Sequence, residues 1–374
     1  MQVLENYVAG QWTPGEGKQT DLVHAIHGNT IAYSRAGGLD FGPILEYGRK
    51  KGGPALRKMT FHERGRMLKA LALYLLERKD KYYPVSYQTG ATKADSWVDI
   101  EGGIGNLFSN ASLRRRFPDQ PFYVDGEAIN LSKTGQFMGH HIMVPREGIA
   151  IHINAFNFPI WGMLEKIAVN LLAGMPAIVK PATITSYVTE AMFRDIIVSG
   201  ILPEGAVQLL VGSAQGILDH VQSQDVVTFT GSASTGQQLK AHPKIISEAV
   251  PFNMEADSLN CSVLGEDAIP GTEEFDLFVK EVRKEMTLKC GQRCTGIRRA
   301  IVPVHLLEDV QIAISKALSQ TVIGDPQVEG VRMGALAGKS QVDEVRTQIE
   351  KLLKESTIAF GDPHKVELVG ADAS

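Results

Sequence analysis

The sequence predicts an α/β fold, a Rossmann-type parallel sheet joined to a second α/β domain and a β-arm. Three observations predict it. From Gly148 onward, short apolar runs alternate with helix-length periodic segments, the rhythm of a helix-covered parallel sheet. The rhythm restarts at Phe275 with a new helix, which implies a second domain over 266–374. Between residues 122 and 144 the pattern is instead strand-like and polar, with Gly126 and Gly135 as turn points, so the first domain is expected over 1–121 and 145–265.

Taken in order, residues 1 to 35 hold short alternating apolar runs broken by Gly10, Pro14, Gly15, Gly17 and Gly28, which predicts edge strands and turns. Thr60-Phe61-His62-Glu63 is a capping-box pattern, and the helix after it carries Met67, Leu68, Leu71, Leu75 and Leu76. A second helical stretch, from about Ala94 to Leu113, carries Trp97, Ile100, Ile104 and Phe108. Both read as scaffold over a sheet. The arm at 122–144 has edges that another subunit would complete.

The parallel units follow. A strand over 148–153 leads into Asn154-Ala155-Phe156-Asn157-Phe158-Pro159 and a helix over 160–173. A buried strand over 177–180 ends on Lys180 and is followed by a helix near 185–199. Further strands are expected over 207–211 and 226–230, the last running into Gly231-Ser232-Ala233-Ser234-Thr235-Gly236 before another helix. In open sheets of this kind ligands bind at the carboxyl ends of the strands, where Asn157, Lys180 and the Gly231 turn fall. Beyond 266 come a helix over 275–289, a cysteine turn, a strand over 300–304, and helices near 309–319 and 341–354.

Composition narrows the function. The 374 residues suffice for about two domains and a sizeable core, and 44% apolar content is ordinary for a globular chain. A formal charge of −4 gives no global reason to expect nucleic acid or an anionic membrane as partner, although Arg114-Arg115-Arg116 is either a local anion site or a solvated loop. Three cysteines fit free thiols in a reducing compartment. The N-terminus lacks the basic start and apolar core of a signal peptide, and no apolar run reaches the ~20 residues of a membrane span, so the cytoplasm is expected.

Four features carry chemistry. In Lys289-Cys290-Gly291-Gln292-Arg293-Cys294-Thr295-Gly296, Cys294 falls just beyond a helix, and Lys289, Arg293, Arg298 and Arg299 are expected to favour its thiolate. A lone cysteine is more often a small buried hydrophobe than a catalyst. Cys290 and Cys294, four apart, would touch on one helix face, but two thiols without further ligands make a poor zinc site, so no metal is expected. Cys261, in an apolar run, reads as core. Glu255 is a candidate general base, or else a solvent-facing acid. Asn157 offers an amide to a developing oxyanion, or is a turn residue. The Gly231 turn offers backbone amides to a phosphate, and Lys180 a cation. A tight βα turn without ligand and a lysine snorkelling at a sheet edge are the plain alternatives.

In combination these segments resemble the NAD(P)-dependent aldehyde dehydrogenase superfamily. The matching stretches are Asn154 to Pro159, Val179-Lys180-Pro181-Ala182, Leu202-Pro203-Glu204-Gly205, Phe229-Thr230-Gly231-Ser232, Met254-Glu255, Gly291 to Thr295 and Met333-Gly334-Ala335-Leu336. Gln88-Thr89-Gly90-Ala91-Thr92, Ser96 to Gly103 and Glu255-Ala256-Asp257-Ser258-Leu259-Asn260 are similar to one branch. That branch is the dehydrogenase part of the phenylacetate-degradation ring-cleavage proteins, with the related semialdehyde dehydrogenases of aerobic benzoyl-CoA degradation next in resemblance.

The resemblance implies that 1–121 with 145–265 bind the dinucleotide, that 122–144 mediate oligomerisation, and that 266–374 begin the catalytic domain. It implies Cys294 as nucleophile, Asn157 as oxyanion donor and Glu255 as the base that hydrolyses the thioester. Ile153, Asn154, Lys180, Thr183, Thr230, Gly231, Ser232 and Thr235 would hold the cofactor. The substrate implied is a small aldehyde, an aliphatic semialdehyde attached to coenzyme A. Where many members of the superfamily carry a ribose-binding glutamate, this chain has Thr183, so NADP is expected to be preferred and NAD accepted. The superfamily's Glu-x-Phe-Gly-Pro segment is absent, which leads to the expectation of a shortened catalytic domain and a homo-oligomer only at full length. The ring-cleavage proteins also often carry a hydratase domain, and none is present here, so this chain alone should not open a ring. The rival class is a catalytically incomplete, dehydrogenase-like nucleotide-binding or structural protein.

Overall fold

A computed structural model describes residues 2–371. Its centre is a seven-stranded sheet in the order Phe252–Ala256, Val226–Gly231, Ala150–Ile153, Ala177–Lys180, Val207–Leu209, Glu5–Val8, Gln11–Pro14. The first five strands are parallel, and the N-terminal pair forms an antiparallel hairpin that extends the sheet beyond Val207–Leu209. Chain order runs one way from Ala150–Ile153 through Val207–Leu209 and the other way through Val226–Gly231 and Phe252–Ala256. The reversal lies between Ala150–Ile153 and Val226–Gly231, which are paired with Phe229 opposite Ile153. Connections leave a crevice at such a reversal, because they cover opposite faces of the sheet on its two sides.

Helices cover both faces. Pro159–Ala173 packs with Phe61–Leu76, Gly103–Leu113 and Ser186–Val198 on one side, burying Leu68, Leu71, Leu107, Ile167, Leu171 and Phe193. The other face buries Ile44, Leu45, Ile217, Leu218 and Ile245. The predicted capping box is present: the Thr60 hydroxyl accepts from Glu63 N, and the Glu63 carboxylate accepts from Thr60 N. Pro159 opens its helix with a preset φ, and Gly174 ends it at φ +85, where a side chain would be strained. Residues 93–113 run as one helical segment interrupted by a π turn over Val98–Gly102. Strands Tyr123–Asn130 and Met138–Met143 pair only with each other and leave Ile129, Met138, Ile142 and Met143 exposed.

Past residue 260 the structure is smaller. Helix Glu273–Thr287 packs against Leu307–Ser319 through Phe275, Phe278, Val282, Leu306 and Val310. Strands Asn260–Val263 and Ile297–Ile301 form a separate parallel pair. The second strand therefore lies at 297–301, not 300–304: Pro303 has no N–H for a ladder, and Val304–Leu306 turns as a 3-10 helix. Cys261, expected in a core, is exposed on this pair. Among the described residues no helix is long and apolar enough to cross a membrane.

Candidate active site

The helix leading to the cysteines stops at Thr287, two residues before the expected end. Lys289 (φ 50), Cys290 (φ 54) and Gly291 (φ 70) then lie consecutively in the left-handed region, which only the glycine adopts without strain. Cys290 and Cys294 consequently do not share a helix face. The Cys290 thiol donates to the Gly334 carbonyl at 3.0 Å, and burial pushes its pKa up to about 12, so it stays protonated. Cys294, in contrast, is exposed.

The cations expected to activate Cys294 are engaged elsewhere. Lys289 is buried and its ammonium donates to Thr89 Oγ1 at 2.8 Å. Arg293 pairs with Glu285 at 2.8 Å, Arg298 donates to the Gly291 and Arg293 carbonyls, and Arg299 to the Leu259 carbonyl. The thiol pKa is raised, first by partial burial and then by the charge and hydrogen bond of Glu255, with Glu165 adding to it; the residue's own main-chain N–H opposes the shift. The resting form is therefore a thiol facing a carboxylate, and its activation requires proton transfer to a base.

Three elements bring the partners together. Glu255 is the penultimate residue of the edge strand Phe252–Ala256, side chain outward. Asn157 lies in the loop before Pro159–Ala173, and its amide donates to the Gln292 carbonyl at 2.9 Å. One N–H of that amide thus fixes the cysteine loop, which leaves the other for an oxyanion. The Cys294 carbonyl accepts from the Ser258 hydroxyl and from Asn260 Nδ2 at 2.8 Å.

The cofactor candidates gather at the carboxyl ends of the strands around the reversal, where Ile153 lies opposite Lys180 on one side and Phe229 on the other. Strands Ala150–Ile153 and Ala177–Lys180 are buried until their last residue, where the sheet edge opens. Asn154 is 4% exposed, yet both side-chain polar atoms lack a protein partner, as does the buried Thr230 Oγ1. Unpaired buried polar groups are costly and call for a ligand. Burial lowers the Lys180 pKa to about 8, and its ammonium donates to the Pro181 carbonyl at 2.9 Å. Ser232 caps helix Ala233–Lys240 by accepting from Thr235 N, while Ala233 N donates to Asp257 at 3.2 Å. Thr183 opens a short 3-10 turn directly after this lysine strand. These orphaned donors and acceptors beside a lysine and a helix N-terminus fit a dinucleotide.

Sequence reasoning passed over several residues that hold this arrangement. Asp95 Oδ1 accepts from Lys289 N at 2.8 Å, and Asp99 Oδ1 accepts from Ile160 N and Trp161 N at 3.0 and 2.8 Å. Gln292 bridges the loop, with its side chain donating to the Lys289 carbonyl and accepting from Ala337 N. Ser258, Asn260 and Glu165 complete the surroundings of Cys294. Asp99, Ser258 and Asn260 lie inside stretches that marked the branch, but composition and spacing say nothing of whom they contact. Among the described residues no group of three or more His, Cys, Asp or Glu side chains is placed to hold a metal ion.

The fold is that of solved aldehyde-oxidising dehydrogenases. A lactaldehyde dehydrogenase superimposes with a TM-score of 0.86 over 96% of this chain and 74% of its own, at 20% identity. The betaine aldehyde dehydrogenase of Staphylococcus aureus does so with 0.83 over 97% and 71%, at 19% identity. A model of the aldehyde dehydrogenase family matches residues 12–368, and the chain belongs to that family of NAD(P)-dependent aldehyde oxidoreductases. A 3,4-dehydroadipyl-CoA semialdehyde dehydrogenase from Aromatoleum evansii is 41% identical over 372 residues, which make up 99% of this chain and 72% of the relative.

Proposed function

We propose that this protein oxidises an aliphatic semialdehyde carried on coenzyme A to the carboxylic acid, with NADP as preferred acceptor, in aerobic degradation of an aromatic acid of the phenylacetate type. Support for the substrate class comes from the 41% identical relative, whose name states a CoA-linked semialdehyde. The mechanism is carried by one observation: the Asn157 amide holds the Gln292 carbonyl, two residues before the exposed Cys294.

In this mechanism Glu255 takes the thiol proton as sulfur attacks the aldehyde carbon. The Asn157 amide and the Cys294 N–H receive the oxyanion of the thiohemiacetal. NADP, when bound, supplies the hydride acceptor that turns this adduct into a thioester. Glu255, once it has passed the first proton to solvent, deprotonates a water, which attacks the thioester carbon, and the Cys294 sulfur leaves as thiolate and takes that second proton back from Glu255. Preference for NADP follows from Thr183, since an acid at that position would repel a 2′-phosphate. The exposed arm serves subunit association in a cytoplasmic homo-oligomer.

The test is NADPH formation from a CoA-linked aliphatic semialdehyde, with NAD in parallel. Activity that Cys294→Ala abolishes, with NADP ahead of NAD, supports the proposal. Cofactor binding without acid formation overturns it in favour of an incomplete, dehydrogenase-like nucleotide-binding protein.

A further inference from the structure

A single helical segment reaches both halves of the proposed site. Asp95, in Lys93–Trp97, receives Lys289 N through Oδ1, and its Oδ2 receives Thr92 N at 2.9 Å and Thr92 Oγ1 at 2.7 Å. One turn later, in Val98–Gly102, Asp99 caps the first amides of the helix that follows the Asn157 loop. The Asn157 amide closes the ring on the Gln292 carbonyl, three residues after Lys289 and two before Cys294. The path Asp95, Lys289, Gln292, Asn157, Ile160, Asp99 is thus continuous.

The chemistry of this ring is costly for a purely structural element. Asp95, Asp99 and Lys289 are each 3% exposed, and burying two carboxylates and an ammonium is favourable only if their partners are fixed. Lys289 and Cys290 are strained, a conformation that persists only where surroundings over-determine it. Burial lowers the Lys289 pKa, and the charges of Asp95 and Asp99 oppose this.

We propose that Asp95 and Asp99 are positioning residues that set Cys294 against Asn157, Asp95 by holding the Lys289 amide and Asp99 by holding the helix after the Asn157 loop. The proposal rests on Cys294 as nucleophile, but its test needs no turnover. The two acids differ in a way the test can use. Both oxygens of Asp95 accept from a main-chain amide, so Asn in its place turns an NH2 group toward either Lys289 N or Thr92 N. Asp99 uses one oxygen for both amides, so Asn can keep that cap.

The experiment is the rate of alkylation of Cys294 by iodoacetamide, read by peptide mass spectrometry, with the exposed Cys261 of the same molecules as internal control. Asp95→Asn and Asp99→Ala are expected to change the Cys294 rate about tenfold while Cys261 stays constant, and Asp99→Asn to restore the wild-type rate. Wild-type Cys294 rates in Asp95→Asn and Asp99→Ala overturn the proposal, as does a parallel change at Cys261, which marks general loosening. Asp95→Asn preserves volume and decides the matter where Asp99→Ala fails to fold. A selective Cys294 effect in a protein that forms no acid from aldehyde refutes the proposed function and leaves the positioning role standing.

Discussion

Asn157 and Gln292 are 135 residues apart, yet the side-chain amide of the first holds the main-chain carbonyl of the second at 2.9 Å. That bond joins the loop at the sheet edge to the cysteine loop, so the proposed oxyanion donor is tied to the chain two residues before the proposed nucleophile. Replacing Asn157 by Ala removes both the tether and the second N–H. We expect kcat to fall about 10²- to 10³-fold with a small change in cofactor affinity. A fall below threefold in steady-state turnover would show that the oxyanion is held elsewhere.

Glu255 acts on Cys294 in two opposite senses. Its charge raises the thiol pKa, whereas in the proposed mechanism it removes the proton from thiol and water. Glu255→Gln should therefore alkylate faster at Cys294 than the wild type at about neutral pH, because a lower pKa means more thiolate. Aldehyde oxidation should drop by roughly 10²-fold or more as the base is lost. Slower alkylation together with slower oxidation would contradict the electrostatic assignment.

Lys180 titrates near a useful pH. Burial lowers its pKa to about 8, so the cation is present below that value and lost above it. Affinity for NADP, measured by fluorescence titration at constant ionic strength, should weaken as pH rises through about 8, and Lys180→Met should be weak and flat with pH. Equal slopes in both proteins would remove Lys180 from the cofactor site.

Asp99 makes the native state prefer low pH. Desolvation raises its carboxyl pKa to about 7, against the opposing pull of the Trp161 amide, the Lys289 charge and the Ile160 amide. An acid with a raised folded pKa contributes its stability below the unfolded pKa and loses it as pH rises through the folded one. The upper limit of that loss is about 4 kcal/mol for a shift of about three units. Asp99→Asn keeps an acceptor without a charge, so its stability relative to wild type in urea unfolding should improve steadily between about pH 4 and 8. A difference independent of pH would show that Asp99 keeps an ordinary carboxylate pKa.

Local signals in the sequence account for much of the scaffold. Apolar periodicity placed the helices and the parallel strands because burial on a helix-covered sheet demands it, and Thr60 with Glu63 marked a helix start that the structure shows. Helix and strand ends were less legible: Pro303 moved one strand, and strain at Lys289 and Cys290 ended a helix early. Charge near Cys294 was misjudged for a related reason. Lys289, Arg293, Arg298 and Arg299 are neighbours in sequence, but side-chain direction is set by contacts, and theirs are Thr89, Glu285 and main-chain carbonyls.

By itself the sequence determined most of the parallel strands and longer helices, the family motifs and Cys294, Glu255 and Asn157 as candidates, because residue type and short-range spacing carry that information. Tertiary structure alone decided that Cys294 faces a carboxylate and not a ring of cations, that Cys261 is exposed, and that Asp95 and Asp99 tie the cysteine loop to the Asn157 loop. Those contacts span as many as 194 residues, and buried charges choose partners by proximity in space, which no local pattern encodes.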